Sequence, residues 1–216
     1  MSSRYEGITL VIWRHGQTDW NIESRFQGHS DIPLNKVGEY QANHSAKTLA
    51  GMNPTRIVSS DLIRTQQTAA PLLELTGLKL EIDPNLRETH GGNWEGKTDM
   101  ENHAADPENY RAWITGKDIK AGQIGESRKD VAIRARSAFD RVIKDASGTV
   151  ILVTHGGTAR CLLGSVLNIP FENWAALGGL SNACWSVLEP KTHGWTLVEH
   201  NAGSIPEPVF GPETSS

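Results

Sequence analysis

Only two of the 216 residues are cysteine, Cys161 and Cys184, and both sit in apolar stretches. That scarcity argues against a disulfide framework and for two reduced core thiols of a cytoplasmic protein. No apolar run approaches the roughly 20 residues a membrane span needs, and the opening MSSRYEG lacks the apolar stretch of a secretory signal. Positive charge is not in excess either. Lys plus Arg number 21 against 25 Asp plus Glu, for a formal net charge of −4. This balance speaks against a nucleic-acid or membrane surface but leaves room for a small, locally basic pocket. Solenoid repeats are absent. So are HExxH, C-x-x-C and a cluster of acidic oxygen ligands, and no metal is expected.

What is present is organised around Gly7 to Thr18, GITLVIWRHGQT. Ile8 to Trp13 is a β-branched and aromatic run suited to a buried strand, and it turns abruptly polar at Arg14, His15 and Gly16. A polar loop from Asp19 to Asn35 follows, carrying Asn21, Arg25, Gln27 and Gly28. Asn35 is placed to cap a helix from Lys36 to Ala50. Arg56 to Ser60 reads as a short buried strand, and Asp61 as the cap of a helix that Pro71 kinks or restarts and Gly77 ends. Arg64 falls in that helix's first turn, either as a solvated side chain or as a partner of the helix N-terminus in receiving an anion.

Leu78 to Ile82 alternates like an edge strand. The constrained loop LRETHGGNWEGKT, residues 86 to 98, holds two carboxylates, Glu88 and Glu95. Either is a surface charge or a general acid, and position alone does not choose. The segment 100–125 reads as a small cap or lid. Ser127 with Asp130 makes a capping box for a long amphipathic helix that Gly148 closes, and Glu126 is read with that cap. Two closing strands, 182–188 and 194–199, are expected as a hairpin across Pro190 to His193.

The stretch Val150 to Thr158, VILVTHGGT, repeats the pattern of LVIWRHGQT: buried strand, histidine, glycine, threonine. His15 and His155 lie 140 positions apart, so the likeness is not a local chain preference. Two histidines at the C-terminal ends of buried parallel strands converge on one crevice. Two arginines in the same set fit a phosphate, which they grip through paired, charge-assisted hydrogen bonds. A histidine with a large neutral fraction near pH 7 can attack phosphorus. The residues point to phosphoryl transfer.

These residues carry a family resemblance. In order, RHGQTDWN, FQGHSDIPLN, SSDLIRTQQTA, LRETHGGNWEG, GES and VTHGG resemble the motifs of the histidine phosphatase superfamily, which includes cofactor-dependent phosphoglycerate mutases and acid phosphatases. LRETHGGNWEG, GESRKDVAIRA and NWAALGGLSNACW are most similar to actinobacterial glucosyl-3-phosphoglycerate phosphatases. The resemblance implies an α/β fold: three α/β/α layers, a mostly parallel central sheet of the phosphoglycerate mutase-like kind and a small helical cap. Residues 1–200 would form one domain, with 201–216 as a flexible tail.

It also implies site roles. His15 would be the nucleophile, with Arg14, Arg64 and His155 around the phosphoryl group and Glu88 as proton donor. Asn21, Gln27, Gly28 and Gly156 would touch substrate. No cofactor is implied, the partner is a small phosphorylated metabolite, and a homodimer is allowed. The family's mutases place an aromatic and adjacent arginines after the catalytic glutamate. Here that region reads ETHGGNWEG, and Arg111 is the only arginine between Arg87 and Arg128, which favours hydrolysis over mutase action. Glucosyl-3-phosphoglycerate is the expected substrate, with a broad-specificity sugar phosphatase as the alternative.

Overall fold

The apolar run after Gly7 becomes strand β1 (Ile8–Arg14), buried on both faces. A computed structural model describes residue 5 and residues 7–203. Five further strands join β1 in one sheet: β2 (Pro54–Ser59), β3 (Leu80–Ile82), β4 (Gly148–Thr154), β5 (Trp185–Lys191) and β6 (Gly194–Ala202), in the order β3-β2-β4-β1-β5-β6. β1, β2, β3 and β4 pair in parallel, and only β5 runs against both its neighbours.

Alternation along β1 sends Ile8, Leu10 and Ile12 to one face and Val11 and Trp13 to the other. On the first face they meet Ala135, Phe139 and Val142 of helix α6 (Arg128–Lys144) and Leu162, Leu163 and Val166 of helix α7 (Gly156–Val166). On the second they meet Ala46 and Leu49 of α2 (Lys36–Ala50) and Ala69 and Leu72 of α3 (Ile63–Thr76). Helices thus cover both faces of a mixed, mostly parallel sheet, and each fully buried Leu, Ile or Val contributes about 1.5–3 kcal/mol relative to exposure.

Several local expectations need correction. The loop after Thr18 contains a short helix, α1 (Asp19–Ile22), because Thr18 and Asn21 form a reciprocal cap. Asp61 does not cap α3. Its carboxylate takes two hydrogen bonds from Arg87, at 2.7 and 2.6 Å, while Asp31 Oδ1 accepts from the Ile63 amide at 2.6 Å. α3 continues through Pro71 without restarting, and Gly77 ends it at φ +69°. Gly148 does not close α6. That helix stops at Lys144, and Gly148 opens β4 in a left-handed conformation, φ +68°.

Ser127 and Asp130 do form the capping box. Between α4 (Asp99–Ala105), α5 (Pro107–Ile114) and the start of α6, the segment 99–127 packs on an aromatic cluster of Phe26, Trp94, Tyr110 and Trp113. β6 extends to Ala202, so the expected tail does not begin at Asn201; its residues 204–216 lie outside the described residues. Cys161 and Cys184 are both buried and unbonded to each other. Among the described residues no helix is long and apolar enough to cross a membrane.

Candidate active site

The sheet register explains the echo between the two histidine motifs. β1 and β4 pair as Leu10 with Val150 through Arg14 with Thr154, the same 140-residue offset that relates the motifs. His15 and His155 therefore leave adjacent strands at one level. Their rings meet edge to face with centroids 5.2 Å apart. The glycine after His15 is sterically required, since a Cβ on Gly16 would sit 2.5 Å from the Gly38 carbonyl oxygen.

His15 Nδ1 donates to the Gly16 carbonyl at 2.7 Å, which leaves the Nε2 lone pair uncommitted. Burial, then the nearby Arg64 and Arg14 charges, holds its pKa well below the usual histidine value, so the ring is neutral near pH 7. Arg64 is fully buried. It donates from Nε to His155 Nδ1 at 3.2 Å, from Nη1 to Ser30 O at 2.8 Å and from Nη2 to Gly28 O at 2.9 Å. Because His155 Nδ1 accepts, its proton is on Nε2, which donates to Ser60 Oγ at 3.1 Å. Burial and Arg64 likewise push His155 well below its ordinary pKa. Burial lowers Arg64 itself to about 10, still protonated at neutral pH.

Arg14 donates from Nη1 to Leu180 O at 2.6 Å, and its Nε is buried with no hydrogen-bond partner. Buried cations beside neutral imidazoles, with donors to spare, are a receptor for an anion.

Geometry separates the two glutamates. Glu88 sits at the N-terminus of α7, where Oε2 accepts from the Gly157 amide at 3.0 Å and Oε1 from the Thr158 amide at 3.1 Å. A Cβ at Gly157 would lie 2.6 Å from Glu88 Oε1, so only glycine lets the carboxylate dock there. Glu95 accepts from the His29 and Gly91 amides at 3.0 and 2.9 Å and from Ser30 Oγ at 3.2 Å, tying two loops together. Glu88 lines the cavity and Glu95 does not.

That cavity, about 350 Å³, is lined by Arg14, His15, Asn21, Gln27, Gly28, Arg64 and Glu88 among the expected residues. His155 and Gly156 are not on its wall. His155 lies behind His15 with both nitrogens engaged by protein groups, and Gly156 packs over Arg14 while Gly157 faces the cavity. Gly28 (φ +50°) supplies the carbonyl that holds Arg64. Asn21 Oδ1 accepts from the Thr18 amide and from Asn182, and Gln27 Oε1 is buried without a partner.

Some supporting residues escaped the sequence reading. Asn182 Nδ2 bonds the His15 and Gly16 carbonyls at 3.1 and 3.2 Å. Glu126 is not part of the α6 cap. It pairs with Arg134 at 2.7 Å, and Arg134 also donates to the carbonyls of Asn85, Arg87 and Glu88. Both lie inside quoted motif blocks, but nothing in their spacing discloses these partners.

Comparison with known proteins agrees with this geometry. The chain is 42% identical over 188 residues to glucosyl-3-phosphoglycerate phosphatase of Mycobacterium tuberculosis, covering 83% of this chain and 84% of the relative. It is 39% identical over 166 residues to a probable phosphoglycerate mutase of Yersinia enterocolitica, covering 76% of each. A solved structure of mycobacterial glucosyl-3-phosphoglycerate phosphatase with VO3 superposes at a TM-score of 0.85 and 41% identity, covering 90% of this chain and 99% of that one. The family model for the histidine phosphatase superfamily (branch 1) matches residues 10–203. With its paired histidines converging from adjacent parallel strands, the chain belongs to the histidine phosphatase superfamily, branch 1.

Proposed function

We propose that this protein hydrolyses a phosphate monoester of a small metabolite through a phosphohistidine on His15, without a metal or cofactor, and that glucosyl-3-phosphoglycerate is the substrate. The observation that carries the reading is the neutral, Nδ1-anchored His15, whose free Nε2 shares one cavity with Arg14, Arg64 and Glu88. Nε2 attacks phosphorus as the bond to the alcohol oxygen breaks. Arg14 and Arg64 take the charge on the phosphoryl oxygens, Arg14 through its unpartnered Nε–H. His155 acts from behind by orienting Arg64, rather than by touching the phosphoryl group.

Glu88 gives a proton to the departing alcohol. The resulting carboxylate then takes a proton from water as the water oxygen attacks phosphorus, releasing phosphate and regenerating His15.

Supporting the substrate choice are the names of relatives at 42% identity, while the absence of adjacent arginines after Glu88 supports hydrolysis over mutase action. The segment 100–125 serves as a cap over the cavity, contributing Trp113 to its wall, with Asp99 on the wall just before it. A reducing cytoplasmic setting fits the two free thiols, and homodimer formation belongs to the same proposal, to be read by light scattering. The decisive experiment is rapid quench with labelled substrate. An acid-labile, alkali-stable phosphoenzyme is expected in the wild type and absent in His15→Ala; label on any other residue overturns the assignment.

A further inference from the structure

The cavity that holds His15 is also lined by a second pair of guanidinium groups. Arg128, the first residue of α6, and Arg160 of α7 line it together with Trp113 and Cys161. Arg128 stacks with its Cζ 3.8 Å from the centre of the Trp113 ring, and donates to the carbonyls of Trp113 at 2.9 Å and Lys117 at 3.3 Å. Those contacts fix its plane and leave Nε–H uncommitted. Among the described residues Arg160 makes no side-chain hydrogen bond or ion pair, and its Nε is buried.

Neither cation has a carboxylate within ion-pair distance among the described residues. Asp118, the acid whose charge Arg128 senses, pairs instead with Lys129 at 3.5 Å. The two carboxylates on the cavity wall are also engaged: Glu88 by the α7 amides and Asp99 by the Tyr110 hydroxyl. Burial lowers the Arg128 pKa, and the Arg160 charge acts in the same direction against Cys161 and Asp118, which places the two guanidinium groups within electrostatic reach. Two like charges held together and unpaired are costly unless an anion joins them. Planar N–H forks, one of them backed by an indole, suit a planar carboxylate. Arg14 and Arg64 already occupy the His15 end, so a ligand filling both ends carries a phosphoryl group and a second acid.

We propose that Arg128 and Arg160 bind a carboxylate carried by the alcohol part of the substrate, so that the enzyme selects phosphate esters of hydroxy acids. This rests on the phosphatase reading above and assigns its specificity to two named residues.

The test compares 3-phosphoglycerate with glycerol 3-phosphate, which differ only in carboxylate against hydroxymethyl. Wild-type kcat/KM is expected to favour the acid, and Arg160→Gln and Arg128→Gln each to shrink that preference by about ten- to a hundredfold, the worth of a charge-assisted hydrogen bond. Arg160→Gln breaks no side-chain bond in the fold, so it reports without damage to the cap. Equal wild-type kcat/KM for the two esters, or a preference unchanged in Arg160→Gln, overturns the proposal. So does a preference for 2,3-bisphosphoglycerate over 3-phosphoglycerate that vanishes in the same variants, which would make the pair a second phosphate site. Should the wild type hydrolyse no ester, the phosphatase reading falls, and calorimetric binding of the first two esters still decides the subsite. Tighter binding of the acid, lost in Arg160→Gln, supports it; equal affinity refutes it.

Discussion

Acidification from about pH 7.5 to about pH 5 is expected to destabilise the fold through the two site histidines. His15 and His155 are 3% and 0% exposed, and burial with Arg64 alongside keeps both pKa values well below the ordinary value. In the unfolded chain each titrates near 6.5. Below that pH the unfolded state binds a proton at each ring that the folded state refuses, so stability falls as pH falls, until the folded pKa values are reached. Each ring then costs at most about 1.4 kcal/mol per pH unit, which bounds the loss over this range at roughly 2 kcal/mol per histidine and roughly 4 kcal/mol for the pair.

That is a large share of the about 5–15 kcal/mol typical of a domain. Half-buried His29, also lowered by burial, adds in the same direction. Asp61, Glu81 and Asp83, whose pKa values are lowered by Arg87, Arg56 and Arg141 respectively against the cost of burial, lose their contributions from about pH 5 downward, so they touch only the lower edge of the window and act in the same direction. Urea denaturation at several pH values, in phosphate-free buffer so that no ligand binding adds to the folded state, measures the effect. His155→Gln should remove about half of the slope. A midpoint that stays flat from about pH 7.5 to about pH 5, or a His15→Gln/His155→Gln double variant with the wild-type slope, would refute the reasoning.

Other expectations follow from the same geometry. Glu88→Gln keeps an acceptor for one of the Gly157 and Thr158 amides, turns its NH2 toward the other, and cannot give a proton. It should slow alkyl phosphates by about a hundredfold or more, and p-nitrophenyl phosphate, whose leaving group needs little protonation, far less; equal losses on both substrates argue against Glu88 as the acid. Arg134→Met removes the partner of Glu126 and the donor to three carbonyls around Glu88. A loss of about 2–4 kcal/mol by denaturant titration is expected, together with a kcat decrease at unchanged substrate preference. Chelation by EDTA should leave the rate of the purified enzyme as it was, and a loss restored by an added divalent ion would contradict the mechanism.

Much of the sheet was legible because its strands announce themselves locally. Leu10 to Trp13 and Val150 to Val153 are apolar on every residue, as strands covered by helices on both faces must be. Asn35 and Ser127 marked helix starts through side-chain caps, and Gly77 a helix end through its left-handed backbone. Asp61 misled for the opposite reason. Its carboxylate has a stronger offer from Arg87, 26 residues away, than from the amides beside it, and no local rule weighs such competition.

The sequence by itself determined that two histidines, each freed by a glycine, leave two buried strands, and that arginines accompany them. Those facts follow from periodicity and residue type, which act within a few residues of chain. The family resemblance implied Glu88 rather than Glu95, but only the tertiary structure decided which of the two lines the cavity. The choice depends on which carboxylate reaches the α7 amides, and Gly157 must lack a side chain for that to happen. It likewise decided that His155 accepts from Arg64 and stays off the cavity wall, and that Arg128 and Arg160 line the same cavity as His15. A hydrogen bond or a charge pair is set by distances of about 3 Å across the fold, and sequence separation carries no record of them.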